Sequence, residues 1–150
     1  MQMVHRILHV EDNPDDVMLI GLAFKKAGVQ VKLDVVTDGD KAIEVLSNSD
    51  VEAAPACLLL DIKLPTISGL DVLAWIRKQP NLKRLPVIMF TSSLLPEDIN
   101  QAYDLGANSY LTKPSDLDAL ITLVKTIDHY WLRVNTPAVA NAPHMAPAGM

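Results

Sequence analysis

Five positions in this chain could do chemistry together: the pair Glu11–Asp12, then Asp61, Thr91 and Lys113. Each stands where an apolar run stops. Glu11 and Asp12 follow "RILHV", Asp61 follows "CLLL", Thr91 follows "PVIMF", and Lys113, with Pro114 behind it, follows "NSYLT". A charge at the end of a buried run is costly unless something pairs with it. Two like charges about 4 Å apart repel by about 4 kcal/mol at an effective dielectric near 20. Three carboxylates served by one lysine therefore make an anionic hole, which raises carboxylate pKa values or recruits a cation. Oxygen ligands favour a hard ion. Mg²⁺ fits best, since it takes one or two carboxylates, keeps several waters and accepts a phosphate oxygen. A carboxylate beside Mg²⁺, an ammonium and a hydroxyl is equipped above all for phosphoryl capture. Asp61 would be the nucleophile, Mg²⁺ and Lys113 would offset charge on the transferring oxygens, and Thr91 would hydrogen-bond the new phosphoryl group.

For these residues to meet, the chain must bring several strand ends to one rim. Strand patterns cover 4–10, 31–36, 57–61, 86–91 and 108–112, and helical patterns lie between them. The third and fourth strands are almost wholly apolar, as inner strands of a parallel sheet are. The second alternates Val31, Leu33 and Val35 with Lys32 and Asp34, which suits an edge. Asn13 with Pro14 opens the first helix and Gly28 closes it. "GDKAIEVLS" reads as the second, with Ala42, Val45 and Leu46 inward. The third spans roughly 69–78 and stops before Gln79–Pro80. The fourth opens at Pro96 with Glu97 and Asp98 suited to the dipole, and closes at Gly106. The fifth carries a core stripe of Leu117, Leu120, Ile121, Val124, Ile127 and Trp131. Residues 47–56 read as a loop. Thr37 and Asp38, after the second strand, read as a helix cap.

Five strand–helix units with right-handed crossovers give a doubly wound α/β sandwich. In such open sheets ligands bind at the carboxyl ends of the strands. The expected organisation is one domain over 1–134 and a disordered tail over 135–150, "NTPAVANAPHMAPAGM" having neither period nor core former.

The bulk numbers agree with one soluble domain: 150 residues, 49% hydrophobic and 21% charged. A net charge of -5 disfavours nucleic-acid backbones as partners. No apolar run approaches the roughly 18 residues of a membrane span, and no export signal opens the chain. The single cysteine, Cys57, reads as a buried structural thiol. The expected location is the cytoplasm.

The constellation resembles the receiver domain of two-component response regulators over roughly residues 4–131. The likeness runs through "VEDNP" (10–14), "LLLDIKLPTISG" (58–69), "VIMFTSS" (87–93), "LGANSY" (105–110) and "LTKP" (111–114). It implies a flavodoxin-like sheet of order 2-1-3-4-5. It also implies Mg²⁺ held by Glu11, Asp12, Asp61 and the backbone carbonyl of Lys63, with Asp61 as phosphoacceptor. Thr91 and Lys113 would bind phosphate, and Thr91 and Tyr110 would form a switch. The Lys113–Pro114 bond is often cis in such domains, which would aim the lysine inward. Phosphate on Asp61 would draw the Thr91 hydroxyl inward and free space for Tyr110, remodelling the face of helix 4, strand 5 and helix 5. The implied partner is a sensor histidine kinase, with a homodimer through that same face. "VEDNPDD", "ILHV" and "YWL" look more like the stand-alone regulators that serve bacterial phytochromes and related sensor kinases. The chain departs from the common pattern at Glu11, where many receivers have Asp, and at Ser68, which replaces Asp or Asn before Gly69. Lys63 and Ser93 occupy positions that tune phosphoryl lifetime in the family.

Taken singly, these residues have plainer readings: Asp12 and Asn13 as cap residues, Asp61 as a turn residue, Lys113 as a solvated lysine, Tyr110 as a half-buried strand aromatic. Their joint place at one rim favours the site. His5, His9, His129 and His144 lack metal spacing and read as surface or core. "DHYWLRV" (128–134) suggests an interface patch. A phosphatase of the haloacid dehalogenase type would place Asp-x-Asp after strand 1, and a flavin-binding relative a Ser/Thr/Gly-rich loop there; this chain has neither. A constitutive adaptor that never takes phosphate is the remaining alternative, and the reading is otherwise of a signalling protein rather than an enzyme.

Overall fold

Period-two alternation in the inner strands divides their side chains between two apolar cores, one on each face of the sheet. Leu8, Val10, Leu58, Leu60, Val87 and Met89 face one core; Ile7, Leu59, Ile88 and Phe90 face the other. The computed structural model describes residues 4–48 and 54–138. In chain order the elements are β1 (His5–Val10), α1 (Pro14–Lys26), β2 (Val31–Val36), α2 (Gly39–Ser47) and β3 (Cys57–Leu60). They continue with α3 (Gly69–Lys78), β4 (Val87–Thr91), α4 (Pro96–Asp104), β5 (Ser109–Thr112) and α5 (Leu117–Ile127). A π-helical segment, Asp128–Val134, extends α5. All strand pairs are parallel, in the order β2-β1-β3-β4-β5. This is the flavodoxin-like arrangement that the sequence implied, with β2 at an edge.

The helices that close the two cores follow from their stripes. Ala42, Leu46, Val72, Leu73, Ile76 and Ala102 bring α2, α3 and α4 onto the first core. Ile20, Ala23 and Phe24 of α1 and Leu120, Val124 and Ile127 of α5 cover the second. The α5 stripe is the one read from the sequence. Val45 corrects that reading: it is 36% exposed, while Ala42 and Leu46 are buried. A nine-residue helix near the sheet edge needs only the narrow i, i+4 line of contact, and Val45 falls beside that line.

The helix starts are built as their residues dictate. Asn13 Oδ1 accepts from Asp15 N (2.9 Å) and Asp16 N (3.4 Å), with Pro14 in the first turn. Asp38 caps α2, and Ser68 with Asp71 forms a capping box on α3. Gly28, at φ +71°, follows the last turn of α1. The tail from 139 and part of the 47–56 loop lie outside the described residues. Among the described residues no helix is long and apolar enough to cross a membrane.

Register is what positions the site. Val10 pairs with Leu60, and Leu60 with Met89, so β1, β3 and β4 end nearly level. Asp61 N donates to the Val10 carbonyl (3.2 Å), and Lys113 N to the Thr91 carbonyl (2.9 Å). Glu11, Asp61 and Lys113, each directly after its strand, and Thr91, the last residue of β4, are thereby delivered to one rim.

Candidate functional site

At that rim, Glu11, Asp12 and Asp61 each offer a carboxylate oxygen, and these oxygens lie within 4.8 Å of one another. Glu11 is fully buried, Asp61 nearly so, and Asp12 is exposed. At such a spacing each pair of charges repels by about 3 kcal/mol for an effective dielectric near 20. Local bonds hold the group in place despite this. Glu11 Oε2 accepts from Asn13 N (3.1 Å), and Asp61 Oδ1 accepts from Ile62 N (2.7 Å). Burial raises the Glu11 pKa to about 7, and the nearby Asp61 charge adds to the rise, against the hydrogen bonds from Lys113 and Asn13. The donors are all hard oxygens crowded with negative charge, the set that suits a divalent cation such as Mg²⁺.

Lys113 closes the site from β5. Its side chain is 12% exposed, and Nζ lies 2.6 Å from Glu11 Oε1, 2.8 Å from Asp16 Oδ2 and 2.9 Å from Asp61 Oδ2. Burial alone would disfavour the ammonium, but hydrogen bonds to Asp16, Glu11 and Asp61 outweigh it and push the lysine pKa up. Asp16 was not foreseen. It lies in the first turn of α1, where "NPDD" reads as helix-opening residues. The expected cis bond before Pro114 is corrected as well: no described peptide is cis. Three carboxylates draw the lysine inward without it.

Thr91 is buried at the end of β4, where its Oγ1 accepts from Ser93 N (3.3 Å). Tyr110, half-buried on β5, donates its hydroxyl to the Ser93 carbonyl (2.9 Å) and packs against the first core. Burial raises its pKa, against the bond to Ser93. Ser93 Oγ donates in turn to Asp98 Oδ2 (2.6 Å) in the first turn of α4. Lys63 is exposed in the loop after β3. That loop is folded back tightly: Gly69 N donates to the Ile62 carbonyl (2.8 Å), and a Cβ at Gly69 would overlap the carbonyl oxygen of Asp61.

His9 is buried behind the rim, and neither ring nitrogen has a hydrogen-bond partner. Burial, with the Lys113 charge next, lowers its pKa to about 4 and keeps it neutral. Of the two readings the sequence left open, surface or core, it is a core histidine.

Residues 7–125 match the model of the response regulator receiver domain. The chain belongs to that family. Receiver domains of two-component systems that resemble it closely include Rcp1, a response regulator of Synechocystis sp., 35% identical over 133 residues, which make up 87% of this chain and 90% of that protein. The crystal structure of Rcp1 with Mn²⁺ bound superposes with a TM-score of 0.79, at 34% identity, over 90% of this chain and 99% of that one. RcpA, a cyanobacterial phytochrome response regulator crystallised in its phosphorylated form, gives a TM-score of 0.83 at 36% identity, over 91% of this chain and all of that one. The receiver domain of the sensor histidine kinase PA1611 of Pseudomonas aeruginosa carries a magnesium ion in its active-site cleft. It is 28% identical to this chain, with a TM-score of 0.67, over 83% of this chain and 97% of that one.

Proposed function

We propose that this receiver takes a phosphoryl group on Asp61 from the phosphohistidine of a sensor kinase, in a Mg²⁺-dependent reaction, and signals through altered protein contacts. The observation that carries the reading is the Lys113 ammonium 2.9 Å from the Asp61 carboxylate, within the acidic group of Glu11 and Asp12. An Asp61 oxygen would attack phosphorus as the P–N bond breaks, and the electron pair of that bond would return to the imidazole nitrogen. Lys113 would bind the transferring oxygens, and the buried Thr91 hydroxyl would bond to the product phosphoryl group. Water attack on the acyl phosphate would restore the carboxylate and release inorganic phosphate. Glu11, Asp12, Asp61 and the Lys63 carbonyl would hold Mg²⁺, whose charge would lower the repulsion between Asp61 and an anionic donor.

The same reading makes Thr91 and Tyr110 the switch. Engagement of the Thr91 hydroxyl by phosphate would loosen its bond with Ser93 N, and the Tyr110 anchor on Ser93 would respond. The face of α4, β5 and α5 would then carry the output, including a homodimer contact. A groove on the β5–α5 side of that face, lined by apolar Leu111, Leu123, Ile127, Tyr130 and Trp131 with polar Asn108, Ser109 and Thr126, supports this. Likeness to Rcp1 and RcpA favours a bacteriophytochrome-like kinase as the donor, and the cytoplasm is the location such a kinase would require. The functional unit would run to Val134, with the remaining residues as a tail.

Incubation with Mg²⁺ and acetyl phosphate tests the reading. A base-sensitive phosphoprotein in the wild type, lost with chelator and in Asp61→Asn, is the expected result. Label that persists in Asp61→Asn would overturn the assignment of the acceptor.

A further inference from the structure

The Lys113 ammonium has three donors, and three carboxylates surround it, but the three are not equivalent. Glu11 and Asp61 are buried and belong to the acidic group with Asp12. Each also accepts a backbone N–H, from Asn13 and Ile62 respectively. Asp16 is different in every respect. It stands on a helix rather than at a strand end, its side chain is 30% exposed, and it lies outside the group whose oxygens converge within 4.8 Å. Its carboxylate Oδ2 meets Lys113 Nζ at 2.8 Å. Its backbone is fixed by the Asn13 cap, so the carboxylate is delivered from the rigid first turn of α1.

The consequence follows from counting partners through a reaction cycle. A cation at Glu11, Asp12 and Asp61 draws on the carboxylate oxygens that Lys113 now shares. Phosphorylation then removes the charge of Asp61. Asp16 is the one carboxylate around the ammonium that neither event consumes. The side chains that share a small cavity with Asp16 and Lys113 are Leu19, Phe90, Pro114 and Leu120, all apolar, so that side offers no substitute acceptor.

We propose that Asp16 is a positioning residue for phosphoryl transfer at Asp61, holding the Lys113 ammonium beside the acceptor while metal and phosphoryl group engage its other two partners. The inference rests on the phosphoacceptor reading above. Asp16 touches neither the reacting atoms nor the cation; it acts through Lys113.

The test uses Asp16→Ala and Asp16→Asn in the full chain, with acetyl phosphate as donor. In that reaction an Asp61 oxygen bonds to phosphorus as the bond from phosphorus to the acetyl oxygen breaks, and acetate leaves with the electron pair. Mg²⁺ affinity is read separately by calorimetric titration, and thermal melting checks the fold. Asp16→Ala should lower the maximal labelling rate about tenfold, with Mg²⁺ affinity within about twofold of wild type. Asp16→Asn, which keeps an acceptor oxygen without the charge, should fall between the two, and it carries the test if the alanine variant folds poorly. A rate in Asp16→Ala equal to or above that of wild type overturns the proposal. So does a parallel loss of Mg²⁺ affinity, which would place Asp16 at the metal. A wild-type chain that takes no label in Mg²⁺ from acetyl phosphate or any histidine kinase overturns the phosphoacceptor reading itself, and the positioning role with it.

Discussion

The hydroxyl of Tyr110 donates to the carbonyl of Ser93 across 2.9 Å, tying the β5 aromatic to the loop that leaves Thr91. Ser93 N donates to Thr91 Oγ1 and Ser93 Oγ to Asp98 Oδ2, so one residue connects the Thr91 and Tyr110 side chains with α4. Tyr110→Phe should keep the ring packing and lose only the hydrogen bond. Urea unfolding should show a loss of about 1 kcal/mol, with Asp61 still open to labelling. A beryllofluoride complex in which Tyr110 keeps this rotamer and this bond would rule out its part in the switch.

Gly69→Ala addresses the architecture of the loop that follows Asp61. The added Cβ would meet the Asp61 carbonyl oxygen and the backbone of Ile62, not a side chain that can swing away. The clash should cost about 1–3 kcal/mol in chemical denaturation and displace Asp61 from Lys113. Unchanged stability together with unchanged labelling would show that the loop can move aside freely.

Arg77 is expected to be a major structural residue outside the site. Its guanidinium donates to the Gly106 carbonyl from Nε (2.9 Å) and Nη2 (2.8 Å), to the Leu85 carbonyl (2.8 Å), to the Lys83 carbonyl (3.1 Å) and to Asn108 Oδ1 (2.9 Å). It thus joins the end of α3 to the approaches of β4 and β5. Arg77→Ala should destabilise the fold by about 3 kcal/mol, since it leaves several carbonyls short of a donor. Arg77→Lys should rescue little, because one ammonium cannot reproduce a planar fork. Urea unfolding of both variants decides it.

Glu11 gives the site its pH dependence. Its pKa, held at about 7 by burial, lies above the ordinary 4.5. Between those values the folded, metal-free protein keeps a proton that the unfolded chain has released. The resulting stability is fully present below pH 4.5 and is lost as pH rises through 7. Cation binding has the opposite slope, since the metal needs the carboxylate. Mg²⁺ affinity should weaken by up to about tenfold per pH unit below about 7 and level off above it. Calorimetric titrations of wild type and Glu11→Gln check this, and the variant should bind Mg²⁺ weakly with a much flatter pH profile.

The fold was legible because its signals are local. Apolar runs that stop at a carboxylate, hydroxyl or lysine mark strand ends, and Asn13 and Asp38 mark helix starts by their own hydrogen-bonding chemistry. Parallel order then brings Glu11, Asp12, Asp61, Thr91 and Lys113 to one rim. What escaped notice depends on long-range contacts. Asp16 meets Lys113 across 97 residues, and nothing in "NPDD" announces it. Arg77 looks like any basic residue in a last helical turn until the loop before β5 folds over it. Val45 sits on the border of its stripe, where one face of a short helix shades into solvent. The bond before Pro114 was expected from family habit, and the carboxylates around Lys113 supply the inward pull instead.

The sheet separates the protein's two tryptophans. Trp75 lies against the core shared with Tyr110, and Trp131 against the core of α1 and α5. The chain therefore contains its own pair of optical probes, one on each side of a five-strand partition. A rearrangement that begins at Thr91 and moves Tyr110 would alter the emission of Trp75 first, while Trp131 would report whether the disturbance has crossed to the opposite side.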